Sequence, residues 1–501
     1  MKNFTKSSRF YLILAISAVS VFFALTIASS LTHRPQIDEG MFASPALNLA
    51  AEGHFGTTVL ETEKSDLTRI DQRTYWVMPL YLLNAAASFK ILGFSLFSMR
   101  LVNILWGFGL LLAWYFIVLK LSGDKRAAIL CLILLACDYT VLDASASGRM
   151  DMMSASLGFI GIAAFLLLRE RNLLFAVLLS QSFVVLSGLT HPNGILAFFG
   201  LLFLTLYFDF RRLNFKHIAV ALVPYIIGGT AFGIWVLQDP AAFKDQFIDN
   251  AMMGGRMKGA SSPLSGFIRE FTERYPHAFG LRSNSGGHSG PIYLKSLILL
   301  GYIIGLFGVI FTKSLRQNRN YRALLIMTAI YFVVISLLDG QKLPHYLIHI
   351  VPFYLALLAI FTNWLWERRT VPVPVLIAGI FFFLALQTGG MALRIRQNTY
   401  GNFYQPAVNY LKQNAGEKDI IMAKSDFGFG LNFPDNLVDD GRFGFNTGKR
   451  PRFIVYDSAA ESSWQSSKEF FPAFYEYFPR LLQEEYRLAY ENAAYKIYEK
   501  R

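Results

Sequence analysis

Apolar residues run along this chain in long blocks, not in alternation. Eleven segments carry the mostly apolar stretch of about 20 residues, or a somewhat shorter one, that predicts a membrane helix. They are 10–31, 98–119, 127–142, 152–168, 172–189, 193–208, 217–237, 292–312, 322–338, 345–365 and 371–391. Basic residues precede the first block, as in a signal peptide, but its apolar run of about 20 residues exceeds a typical h-region and reads as an anchor.

Lys and Arg flank these blocks on alternate ends. Lys2, Lys6 and Arg9 precede the first; Lys120, Lys125 and Arg126 follow the second; Arg169 and Arg171 follow the fourth. Arg211, Arg212 and Lys216 follow the sixth, Lys313, Arg316, Arg319 and Arg322 the eighth, and Arg368 and Arg369 the tenth. Eleven crossings put every cluster on one side, which predicts a cytoplasmic N-terminus and an outer C-terminus.

Three large pieces then lie outside: 32–97, 238–291 and the tail from about 393. The semi-apolar stretch 76–93, with Pro79, Asn84 and Lys90, reads as lying along the membrane surface. The tail changes character. It predicts a helix over 404–414, strands at 419–423 and 452–457, a helix near 467–482, a strand or hairpin over 487–499, and a loop over 428–448. The expected architecture is an all-α polytopic membrane domain, 1–392, followed by a small extracytoplasmic α/β domain, 393–501.

Composition agrees. The 501 residues are 54% hydrophobic and 16% charged, against roughly 25% charged in an average soluble protein. This excludes a soluble, disordered, collagenous or coiled-coil chain. Cys131 and Cys137 both lie in an apolar stretch, so they read as packing residues, not as a disulfide framework or zinc site. No phosphate-binding P-loop, dinucleotide fingerprint or HExxH is present, and the cytoplasmic loops are too short for a nucleotide-sugar domain. Chemistry is therefore expected at the outer interface, on a substrate already activated.

Polar residues gather at the outer ends of the blocks. Asp38 and Glu39 follow the first. They suit a solvated helix exit or an N-cap for a helical run over 42–52, a general base at the lipid surface, or a metal-ligand pair. Arg149 and Asp151 open the fourth block, with Asp143 and Ser145 nearby; Asp151 suits either the positive end of the helix dipole or a functional role. His191-Pro192-Asn193-Gly194 reads as turn chemistry. Lys342, His345 and Tyr346 suit a phosphate-holding cluster, or a snorkelling Lys beside an interfacial Tyr. Loop 238–291 carries Arg256, Lys258, Arg269, Arg274, Arg282, His277 and His288, a solvated surface or a basic face for an acidic head group.

In order, the chain shows Asp38-Glu39, a Pro-Leu-Tyr stretch (79–81), Phe-Lys-Ile-Leu-Gly (89–93), Ser-Met-Arg-Leu (98–101), Gly-Arg-Met-Asp (148–151) and Lys-Leu-Pro-His-Tyr-Leu (342–347) continuing to Val-Pro-Phe (351–353). This series resembles the polyprenyl-phosphate-sugar-dependent glycosyltransferases of the GT-C fold, in the branch of the lipid A aminoarabinose transferases and protein O-mannosyltransferases. The resemblance implies a catalytic role for the acidic pair Asp38 and Glu39 and a functional role for Asp151. It places Lys342, His345 and Tyr346 near the lipid phosphate, and Arg149 and Arg73 are the further cations expected to meet that phosphate. Relatives often carry Lys-Pro before Pro-Leu-Tyr; here Met78 precedes Pro79, and Arg73 is the nearest basic residue.

The implied reaction moves a sugar from a lipid-phosphate donor to a hydroxyl of a glycan, lipid or protein, with Asp38 as base. No cofactor or metal is expected; the lipid-linked sugar is the co-substrate. No nucleic-acid partner is expected, and a bacterial inner membrane is the expected location. The competing expectation is a transporter or lipid-handling protein, but transporters usually place charges near the bilayer midplane on repeated, broken helices. Here the charges cluster at one interface.

Overall fold

The computed structural model describes residues 2–61, 67–256, 258–282 and 293–501. His288 lies outside the described residues. The chain begins with α1 (Lys2–Thr32), α2 (Ile37–Glu52), α3 (Pro79–Leu92), α4 (Leu96–Ser122) and α5 (Lys125–Cys137). It continues with α6 (Tyr139–Ser145), α7 (Met150–Leu168), α8 (Leu173–Thr190), α9 (Ile195–Asp209) and α10 (Phe215–Val236). Four further long helices follow: Ser296–Phe311, Arg319–Leu338, Val351–Arg368 and Val373–Gln397.

Among the described residues, nine helices are long and apolar enough to cross a membrane, and ten if α5 and α6 form one span bent by 59°. The bend has a polar cause. Asp138 caps α6 by accepting from the N–H groups of Thr140 (2.9 Å) and Val141 (3.1 Å), and its other oxygen accepts from Tyr302 and Gln387. The remaining predicted segment, 345–365, starts as a 3-10 run, Pro344–His349, before the helix Val351–Arg368. That helix is buried over its first turns, so it forms the middle of the bundle.

Around it, Trp114, Phe159, Tyr331 and Phe353 make the central aromatic contact, with Tyr331 and Phe353 ring centres 4.6 Å apart. Helices α4, α7 and α8 pack beside this cluster. By contrast α1, α10 and Val373–Gln397 leave apolar side chains such as Ile16, Ile226 and Phe381 exposed. Such an outside suits lipid, and the chain is a multi-pass membrane protein. Cys131 and Cys137 are buried free thiols of the bundle.

The stretch 76–93 contains α3, 14 residues long, too short for a span and packed on α2 and α4. The tail forms a five-stranded sheet in the order β2-β1-β3-β5-β4, from β1 (Ile421–Met422), β2 (Leu437–Val438), β3 (Phe453–Asp457), β4 (Tyr486–Glu491) and β5 (Tyr495–Lys500). β2 was expected as loop; two residues carry too little pattern to signal a strand, and only pairing with β1 defines it. The helical stretch expected near 467–482 is two helices, Ser458–Phe470 and Pro472–Glu485, parted where Phe471 precedes Pro472.

Strand β3 alternates. Phe453 and Val455 face the first loop and helix Gln405–Asn414, while Ile454 and Tyr456 face the two later helices. The first loop joins the sheet through a bridge between Leu60 and Asp439 and an ion pair between Glu61 and Lys449 (2.6 Å). The tail is therefore seated on the loop that carries Asp38 and Glu39.

Candidate active site

Asp38 and Glu39 stand in the first turn of α2, and their side chains part company. Glu39 is fully buried. Arg100 of α4 grips it at both oxygens (Nε–Oε1 and Nη2–Oε2, each 2.7 Å), while the Gln36 N–H (2.8 Å) and the Gly148 N–H also donate to it. Arg100 spends its remaining donors on the carbonyls of Ser30, His33 and Arg34, closing the end of α1. A Cβ on residue 148 would stand 3.0 Å from Glu39 Oε1, so glycine leaves the room this contact uses. One turn along α4, Asn103 donates to the carbonyls of Ser147 and Arg149. Arg100 and Asn103 thus hold the first loop and the 147–149 turn together.

Asp38 instead stays 41% exposed and pairs with Arg149 Nη1. The same guanidinium donates through Nε to Asp151 Oδ2 (3.0 Å) and through Nη2 to His345 Nε2 (2.8 Å). Accepting that bond leaves the proton of a neutral His345 on Nδ1. Asp151 is buried at the start of α7, and its Oδ1 has no hydrogen-bond partner. Four residues singled out in the sequence, from three separate segments, therefore form one cluster.

The structure does not bring Lys342 or Arg73 into it. Lys342 is buried, with its ammonium on Glu270 (2.9 Å) and the Ser336 carbonyl (2.6 Å). Arg274 completes that network by bridging Glu270 (3.2 Å) and Asp339 (2.8 Å). Burial lowers the Lys342 pKa, and the Glu270 carboxylate opposes the shift. Lys342 also holds a left-handed backbone (φ 58°), fixing the chain where it turns toward His345. Arg73, farther along the first loop, donates instead to Gln238, just past the end of α10.

Beside the cluster lies a cavity of about 190 Å³ lined by Trp76, Met150, His191, Asn193, Arg256 and Tyr346. Its lining also includes the Asp339 carboxylate, which Arg274 already pairs, and its other polar edges carry donors. Arg256 has no ion-pair partner among the described residues. Trp76 Nε1 and Asn193 Nδ2 are buried without partners. His191 Nδ1 accepts from the Asn193 N–H (3.0 Å), leaving the proton on Nε2, and its ring lies against Tyr346 (5.1 Å). Burial lowers His191 to about 4, so the ring is neutral near pH 7. The turn chemistry expected at His191–Gly194 is present, in the wall of this cavity. An apolar groove of about 350 Å³ is lined by Leu49, Leu83, Phe232 and Trp235, and by Pro79 and Leu189, which stand one and two positions along the chain from the cavity residues Met78 and His191.

Sequence reading did not single out Arg100 or Glu270, and it named Arg256 only as one of several basic residues of loop 238–291 suited to an acidic head group. Arg100 had a usable signal, a lone charge just inside an apolar helix. Glu270 and Arg256 had none that separated them from other charges of their loop.

No protein-family model matches the chain, and no curated protein matches it in sequence. Solved structures do. ArnT from Cupriavidus metallidurans, bound to undecaprenyl phosphate, superposes with a TM-score of 0.59 over 98% of each chain at 15% identity. The oligosaccharyltransferase AglB from Archaeoglobus fulgidus, in complex with an inhibitory peptide and a dolichol-phosphate, gives 0.57 over 99% of this chain and 74% of its own at 13% identity. The chain has the GT-C fold, with the small α/β domain at its C-terminal end.

Proposed function

We propose that this protein is an integral-membrane glycosyltransferase that takes a sugar from an isoprenoid-phosphate donor and passes it to a hydroxyl acceptor at the outer membrane face. One observation carries this reading: the exposed carboxylate Asp38 pairs with Arg149, whose chain neighbour Met150 lines a cavity holding unpartnered donors, and chain neighbours of that cavity's residues line an apolar groove. Such a pair of compartments suits an amphiphile with one anionic head and a long apolar tail. The undecaprenyl phosphate and dolichol-phosphate bound by the two similar structures belong to that class.

The acceptor oxygen attacks the anomeric carbon while Asp38 takes its proton. The bond from that carbon to the phosphate oxygen breaks, and its electron pair leaves with the lipid phosphate. The transition state resembles an oxocarbenium ion, and one displacement with one base inverts the anomeric centre. Arg256, the His191 Nε2–H and the Asn193 amide meet the phosphate as its charge grows, in a site where low polarity strengthens each contact. Glu39 acts by position, because Arg100 occupies both its oxygens. Cationic donors serve in place of a divalent ion; activity lost in EDTA and restored by a metal would overturn that part. The positive clusters support an inner-membrane orientation with the site outside.

The test compares envelope lipids, glycans and proteins by mass spectrometry in cells lacking this chain, restored with it, or restored with Asp38→Asn. A component that loses one sugar mass without the chain and regains it only with the unaltered protein is the expected result. Full restoration by Asp38→Asn would remove the base assignment. No mass difference with the protein present would favour a transporter.

A further inference from the structure

Resting on that reading, we propose that Arg149 is an exchangeable counter-ion, passing from Asp38 to the donor phosphate, so that Asp38 becomes a free base only once the donor is bound. Arg149 has one anchored and one releasable edge. Its Nε is held by Asp151, which is buried at the head of α7, while its Nη1 holds Asp38, which is half-exposed and has no other side-chain partner among the described residues.

Two further features favour release. Asp151 meets Arg149 through Oδ2 alone, and its buried Oδ1 lacks a partner. A small rotation lets both oxygens receive the guanidinium, so Arg149 keeps a counter-ion when it leaves Asp38. The donor cavity is also adjacent on two elements: Met150 and Tyr346 line it, and each directly follows a member of the cluster, Arg149 or His345. A phosphate seated there competes with Asp38 for Nη1.

The advantage is protection as well as timing. A carboxylate paired with Arg is a poor proton acceptor, so an acceptor hydroxyl or water arriving before the donor meets an occupied base. When phosphate draws Nη1 away, the base is uncovered next to the anomeric carbon it serves. Donor therefore binds before acceptor. In this scheme Arg149 contacts the donor phosphate, Asp151 is a positioning residue acting through Arg149, and Asp38 alone takes the reacting proton.

The test measures binding of undecaprenyl monophosphate to the full-length protein in nanodiscs of neutral lipid. Removing the competitor with Asp38→Asn should tighten binding about tenfold. With Arg149→Gln the contest disappears, so adding Asp38→Asn should change affinity less than about twofold. Asp151→Asn, which is isosteric, takes away the alternative counter-ion and should weaken binding, and Asp38→Asn should restore it in that background. These Asp151 arms decide the matter if Arg149→Gln does not fold. Unchanged or weaker binding by Asp38→Asn would overturn the exchange. Tightening that persists in Arg149→Gln would overturn it too, since simple charge repulsion between Asp38 and phosphate then accounts for it. Absence of binding by folded unaltered protein would instead overturn the donor reading itself, and the exchange with it.

Discussion

Arg100 and Glu39 meet in a two-point ion pair that is 1% and 0% exposed, and this contact decides which of two adjacent carboxylates faces the site. With Glu39 drawn inward, the helix turn presents Asp38 outward. A buried ion pair adds little net stability over an apolar pair of the same size, but losing one partner leaves an uncompensated charge.

Glu39→Gln should therefore destabilise the protein by about 3–5 kcal/mol. Asp38→Asn, at a half-exposed position, should stay within about 1 kcal/mol of the unaltered protein while abolishing transfer. Thermal unfolding in detergent, read beside sugar transfer, separates the two. Equal destabilisation by both variants would contradict the inward and outward division.

Lys342 and Arg256 should behave oppositely. Lys342→Met strands Glu270 beside Arg274 and disturbs a buried network, so unfolding temperature should fall. Arg256→Gln removes a cation from the cavity wall without breaking an ion pair among the described residues, so donor KM should rise with stability unchanged. A stable Lys342→Met protein with raised donor KM would reverse these assignments.

Gly40 bears on the same helix turn. A Cβ there would stand 2.2 Å from the Ser425 carbonyl carbon, and Ser425 Oγ donates to the Ile37 carbonyl (3.1 Å). The tail thus touches α2 on both sides of Asp38. Gly40→Ala should cost roughly 1–3 kcal/mol and lower transfer by an order of magnitude or more, because a shift near 1 Å at the base is enough for that loss. Normal transfer by Gly40→Ala would show that the tail does not position Asp38.

Asp426, in the same turn, is buried with Oδ1 unpartnered. Burial first, then Asp457 and Asp439, hold its pKa well above 3.8, with Arg34 opposing. The folded value exceeds the unfolded one, so the native state binds more protons and stability falls as pH rises above the ordinary carboxyl range. Asp426→Asn should raise the unfolding temperature more at pH 8 than at pH 4. An equal gain at both would show that Asp426 is ionised in the fold.

The membrane segments were legible because spanning depends on a local property, the length of an apolar run, and within the described residues each of the eleven predicted segments lies mainly on helical structure. The ends of those segments also announced Asp38, Arg149, Asp151 and His345, since polar residues are costly there and stand out. The short strand β2 was not legible, because two residues acquire strand character only from a neighbour supplied by β1.

Partner choice was likewise beyond the sequence. Adjacent Asp38 and Glu39 look alike on paper, and Arg100, 61 positions from Glu39, separates them. Lys342 looked available for phosphate, yet Glu270, 72 positions away, takes its charge inward while Arg256 faces the cavity. Sequence by itself determined which residues could ionise and at which ends of the helices they stand. Only the tertiary structure decided which charges are neutralised and which remain for a substrate, because that depends on distances across the fold and on what water can reach.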